Sequence, residues 1–135
     1  MKDIKFRAWD KEYRQMQYVG QMHFSHPRGT TPNVLEYICL DKHDTLYYAD
    51  KFILMQFIGL KDKNGVEAYH KDICSGKWPY SDKCIIEWDN KRCGFYLKPI
   101  GGTNFCAYDK GYKLNANKFE IIGNVHENPD LLGAT

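Results

Sequence analysis

No segment of this chain carries the sustained apolar spacing of a long amphipathic helix. Its hydrophobic residues come in short runs separated by Gly, Pro, Asn and Asp. That pattern predicts a mainly β protein, because short strands with turn signals between them pack as a small barrel or a strongly twisted sheet. With 135 residues the chain is long enough to bury a core without needing a metal or disulfide.

Along the sequence, Ile4, Phe6 and Ala8 alternate with Lys5 and Arg7, which predicts a half-buried strand closed by Trp9. Met16, Tyr18 and Val19 predict a short antiparallel return. Residues 20–33, with two glycines and two prolines, read as a loop. Val34 to Leu40 is apolar and reads either as a strand or as a short helical turn. The strongest run, 52–60, is followed by Asp62-Lys63-Asn64-Gly65, and Asn-Gly predicts a tight hairpin turn of type I′. Another strand starts at Asp72, and Ser75, Gly76, Pro79 and Ser81 mark the next loop. Residues 84–88 and 94–97 read as two strands around an Asp89-Asn90 turn. A short strand is expected at 105–108, a last one at 119–125, and one turn of helix at 129–132. The organisation expected is an N-terminal β-rich extension, 1–58, and a small β-barrel domain, 59–135.

Charge offers little direction. Residues 1–60 hold eight basic and seven acidic side chains, and the whole chain has a formal charge of +2. Nucleic-acid binders carry a clustered basic face, and the nearest linear candidates are Lys91 with Arg92 and the loose trio Lys110, Lys113 and Lys118. The longest apolar run is far shorter than the ~18–20 residues of a membrane span, and no basic start followed by an apolar run predicts a secretion signal. Five cysteines, none in a C-x-x-C pair, are therefore expected as reduced thiols in the cytoplasm. A zinc site drawn from Cys39, Cys74, Cys84, Cys93 and Cys106 would lack the paired spacing that fixes tetrahedral geometry.

Four ordered motifs carry a resemblance. The start M-K-D-I-K-F-R-A-W-D, the centre M-Q-F-I-G-L-K-D-K-N-G at 55–65, I-E-W-D at 86–89 and the ending I-I-G-N-V-H-E-N-P-D-L-L at 121–132 closely resemble the YopX protein family, whose members are small proteins encoded in phages and prophages. The resemblance implies an N-terminal extension leading into a Src-homology-3-like barrel. It also implies a barrel start at Asp72 and Ile73, a central strand at 85–88 and a closing strand at 121–125. The family's turn Y-x-G-D-I-V reads here Tyr69-His70-Lys71-Asp72-Ile73-Cys74, with Lys71 in place of the glycine, so the geometry of that turn is the open point. The family supplies no biochemical activity to carry over.

The residues that could carry chemistry each have a simpler reading. His23 and His26 could share a metal, but no third or fourth ligand lies nearby in sequence; His43 or Asp44 could supply them only by folding back, and a polar loop explains the pair. His70, Asp72 and Cys74 would share one face of an extended segment. Nothing in sequence lowers the thiol pKa or places a base for cysteine catalysis, and Asp72 reads as an acceptor for turn amides. Asp62, Glu67, Glu87 and Asp89 are carboxylates that paired-carboxylate catalysis would need. Asp62 is better explained by its turn, and Glu87 by solvent. His126, Glu127 and Asn128 stand before Pro129, where Asn128 suits a helix cap; the functional alternative is a small polar recognition site.

Small barrels bind through loops bearing aromatics, because flat rings stack on bases or on proline-rich peptide. Trp78, Tyr80, Tyr96, Phe105 and Tyr108 are the aromatic positions to watch, Trp78 first among them with Lys77, Lys83, Lys91 and Arg92 in the same stretch, against the reading of Trp78 as cover for a barrel end. The candidate binding surface is Lys77, Trp78, Tyr80, Lys91, Arg92, His126 and Asn128. No catalytic residue, cofactor or metal is expected. The function expected is a non-catalytic phage or prophage accessory protein that binds a host or phage protein. A weak single-stranded nucleic-acid binder and a metal-assisted enzyme are the alternatives, and an exposed strand edge could pair two copies. No membrane association is expected.

Overall fold

A computed structural model describes residues 3–25, 34–42, 44–78, 81–101 and 113–133. The chain is mainly β. Among the described residues every sheet pairing is antiparallel, and the only helical elements are 3-10 turns at Ala49–Lys51, Ala116–Lys118 and Pro129–Leu132. No helix among them is long and apolar enough to cross a membrane. Contacts divide the chain into two compact units, 5–56 and 57–135 together with 1–4.

The unit 5–56 holds β1 (Phe6–Asp10), β2 (Gln15–Ser25), β3 (Val34–Leu40), β4 (Leu46–Tyr48) and the first half of β5 (Phe52–Lys61) in the order β4-β3-β2-β1-β5. Val34 to Leu40 is thus a strand. Ala8, Ile38, Leu40 and Phe52 form the core, with Val19, Leu35, Tyr47 and Leu54 packed against it. The alternation expected at the N-terminus fails in β1. Ile4 is 74% exposed and precedes the strand, while Arg7, Ala8 and Trp9 are all buried. Consecutive strand residues point to opposite faces, so the burial of Arg7, Ala8 and Trp9 in a row means that β1 is covered on both, and alternation there does not sort wet from dry. The loop expected from residue 20 begins too early as well. β2 continues through Ser25, because Gly20 lies at a register shift between Val19 and Gln21, where glycine marks a bulge rather than an end. Residues 26–33, including His26, lie outside the described residues.

The second unit continues β5 and adds β6 (Glu67–Tyr69), β7 (Asp72–Trp78), β8 (Ser81–Asp89), β9 (Gly94–Pro99) and β10 (Phe119–Asn124). Four of these form a sheet in the order β10-β7-β8-β9. Cys74 pairs with Cys84, and Ile86 with Leu97, across neighbouring strands. These four side chains are buried with Ile58, Ala68 and Phe119 in one core. The start at Asp72 matches the resemblance, β8 is interior as expected, and β10 ends at Asn124. Among the described residues the sheet stays open, with β10 and β9 at its edges, which is compatible with the expected Src-homology-3-like arrangement.

Two local expectations change in this unit. The Asn64-Gly65 turn is not the two-residue type I′ form. Lys61 pairs with Glu67, so five residues make the connection, and of Asn64 and Gly65 only Gly65 takes a positive φ, +83°. The carboxylate of Asp62 organises it instead. Residues 75–78 are strand rather than loop, for β7 runs to Trp78, which pairs with Ser81. The strand expected at 105–108 lies outside the described residues.

Candidate functional site

The polar residues that sequence singles out fall into two groups: those consumed in holding the second unit together, and those left at the tip of one hairpin. Asp62 is 5% exposed. Its Oδ1 accepts from the backbone N–H of Asn64 at 2.8 Å and Val66 at 2.9 Å, and its Oδ2 accepts from Ile121 N–H at 2.9 Å. Burial alone would raise its pKa, but these three amides hold it below the ordinary carboxylate value. Asp72, also buried, accepts from Tyr69 N–H at 2.8 Å, which is the turn-acceptor role expected of it.

Glu87 does not face solvent. Its side chain is 20% exposed, and the Lys71 ammonium donates to both carboxylate oxygens at 2.7 and 2.8 Å. The His70 Nε2 lies 3.7 Å from Oε2, beyond hydrogen-bond reach. His70 and Lys71 together hold the Glu87 carboxyl at about 2, against the upward push of burial. The strand alternation that suggested solvent is correct for the backbone. What it misses is that the turn before β7 folds two basic side chains over that face.

The turn after β10 is closed by asparagine side chains. Asn124 Oδ1 accepts from the backbone N–H groups of His126 and Glu127, at 3.0 and 2.8 Å, and its Nδ2 donates to Glu127 Oε1 at 3.0 Å. Asn128 stands at the cap position of the 3-10 turn, yet its side chain does not cap that turn. It reaches back to accept from Asn124 N–H at 3.2 Å. There it occupies the space a Cβ on Gly123 would fill, so residue 123 has to be glycine for this closure. His126 and Asn128 are both half-buried in this turn.

Trp78 ends β7, packs against the core and covers Gly76, where a Cβ would lie 2.6 Å from its ring. Lys77 is exposed beside it, and Tyr80 lies outside the described residues. The thiols opposite each other in β7 and β8 are shielded. Burial, then the nearby charges of Asp72 and Cys84, pushes Cys74 far above the ordinary thiol value; burial and Asp82 push Cys84 up to about 12. Among the described residues no group of three or more His, Cys, Asp or Glu could hold a metal ion.

The remaining pair, Lys91 and Arg92, lies in a different setting. The connection between β8 and β9 forms a hollow of about 440 Å³ lined by Trp88, Asp89, Asn90, Lys91, Arg92 and Tyr96. Asp89 builds the turn, accepting at Oδ1 from the N–H groups of Lys91 (2.9 Å) and Arg92 (3.4 Å), while Arg92 Nε lies 3.5 Å from its Oδ2. Trp88 is 42% exposed, although it shares the strand parity of buried Ile86. Its Nε1–H donates to Asn90 Oδ1 at 2.8 Å, and Phe95 meets it edge-on at 5.0 Å and 73°. Burial, then Glu87 and Asp89, raises the Tyr96 pKa, and Arg92 opposes them. The hollow therefore unites Lys91 and Arg92 with Trp88 and Tyr96, and its lining includes none of Lys77, Trp78, His126 or Asn128. Sequence reading passed over Trp88 because its parity assigns it to the core. The missing signal is position: it is the last residue but one of β8, where the hairpin runs past the packed layer.

The model of the YopX protein family matches residues 5–133. The chain belongs to this family. A solved structure, that of protein EF1440 from Enterococcus faecalis, is similar over 98% of this chain and 100% of its own, at 25% identity and a TM-score of 0.56. No curated protein matches. Within the YopX pattern, the open point was Lys71 in place of glycine. Lys71 keeps the left-handed conformation, φ +73°, that a glycine would take there without strain. Its N–H donates to Ile86 O at 2.9 Å and its carbonyl accepts from Val125 N–H at 3.1 Å, so this one residue ties β7 to β8 and to the end of β10.

Proposed function

We propose that this YopX-family protein is a non-catalytic phage or prophage accessory protein that binds another macromolecule through the tip of the β8–β9 hairpin. The observation that carries the reading is the hollow there, with a part-exposed, internally braced Trp88 beside the exposed side chains of Lys91 and Arg92. Part-exposed aromatics and arginine anchor binding surfaces, since they bring large contact area at small cost in side-chain freedom. The non-catalytic part is supported by how reactive groups are used. Asp62, Asp72 and Glu87 are committed to backbone amides or to Lys71, and Cys74 and Cys84 are held as thiols in the core.

The test is affinity capture from host extract by the immobilised protein and by its Trp88→Ala form, with circular dichroism confirming that both are folded. The expected result is a macromolecule retained by the first and lost from the second. Equal retention by both, or none by either, overturns the reading.

A further inference from the structure

Resting on that reading, we infer that the β8–β9 tip binds single-stranded nucleic acid, with a base stacked on Trp88 and the adjoining phosphate held by Lys91 and Arg92. Three observations on the tip point this way. The indole has already spent its one polar atom, for Nε1–H is bonded to Asn90, so what it offers a ligand is its ring face. Phe95, packed edge-on, and the Asn90 bond fix that ring before any ligand arrives, and a preorganised ring loses little freedom on binding. The one carboxylate in the hollow, Asp89, is turned inward onto the N–H groups of residues 91 and 92 and lies against Arg92. Lys91 has no ion pair among the described residues and is exposed.

The hollow is polarised. Tyr96 stands opposite Glu87 in the β8–β9 register, a carboxylate side that disfavours an anion, so the phosphate belongs on the Lys91 side. A volume of about 440 Å³ falls within the range of small-ligand pockets, roughly 300–1,000 Å³. In a duplex the base faces are already stacked on one another; single strands leave them open to an aromatic platform. A braced flat ring beside two cations matches this chemistry better than an acidic peptide, which would use the charges and leave the ring face idle.

The probe is a fluorescent oligothymidylate of about 12 nucleotides, titrated by anisotropy at about 50 mM salt and upward. Binding is expected to weaken as salt rises. Trp88→Ala should lower affinity roughly tenfold and Trp88→Phe less. Lys91→Gln should reduce the salt slope by about one, whereas Lys51→Gln, the same charge change in the other unit, should leave it unchanged. Duplex of the same length should bind more weakly. No binding at about 50 mM salt, equal affinity of the Trp88→Ala form, or equal affinity for duplex overturns the inference. If the extract experiment still yields a protein lost on Trp88→Ala, the hairpin tip stands as a binding surface and only the nucleic-acid partner falls. If both experiments fail, both readings fall.

Discussion

At φ +73° Lys71 holds a backbone shape that costs an L side chain about 1–2 kcal/mol. Its ammonium offsets part of that cost through Glu87, in a half-exposed pair worth about 0–1 kcal/mol. The two contributions separate by substitution. Lys71→Ala loses the pair and keeps the strained φ; Lys71→Gly loses the pair and removes the strain. Urea unfolding should therefore find the glycine form more stable than the alanine form by about 1 kcal/mol. Asp62 is a stronger case, because three backbone N–H groups depend on it. Asp62→Ala should cost about 3 kcal/mol, since buried donors left unpaired keep their desolvation penalty. The turn roles of Asp62 and Asp72 were legible, because Asp before Asn-Gly and Asp at a strand start recur as acceptors. The pairing of Glu87 was not legible, since Lys71 and His70 reach it only once β7 and β8 are in register.

Between elements, the β5–β6 turn and the β10 turn work as clasps on the second unit. The first reaches β10 through Asp62 to Ile121 and through Lys63 N–H to Phe119 O at 3.2 Å. The second closes on itself through Asn124, Asn128 and Gly123. Gly123→Ala should displace the Asn128 side chain and destabilise the fold by about 1–2 kcal/mol. In an Asn128→Ala background the same change should cost clearly less, a coupling that thermal unfolding of the four proteins would read. Strands with continuous apolar runs, such as β5 and β8, were legible in sequence. The antiparallel return at Met16 to Val19 was legible too, but the second half of β2 and the end of β7 were not, because Gly20 and Gly76 carry the composition of loops. In the fold one marks a bulge and the other makes room for Trp78. The capping role read for Asn128 went to the wrong partner for a related reason: Pro129 does start the 3-10 turn, but Gly123 opens a nearer site for the side chain.

For the whole molecule, the depressed carboxyls set the response to acid. Glu87 titrates at about 2 when folded, against an unfolded value near 4.3, and Asp62 is lowered in the same direction. Their stabilisation is fully present above the unfolded values and is lost as pH falls through about 4 toward 2. Unfolding midpoints should thus be flat from pH 7 to about 5 and drop below it, and Glu87→Gln should flatten part of that drop. Sequence made the β class, the family and the cationic pair at 91 and 92 readable. It did not reveal the Trp88 ring in the same hollow, because strand parity says which face a residue takes and not whether the core extends that far. The binding role of that ring is the central claim, and site-directed cross-linking tests it most directly. A photoreactive residue at position 93, exposed in the same turn and outside the lining of the hollow, carried by the whole chain in host extract, should give a cross-linked macromolecule that disappears when Trp88→Ala is added. Cross-linking that is absent, or that survives the loss of Trp88, would contradict the account.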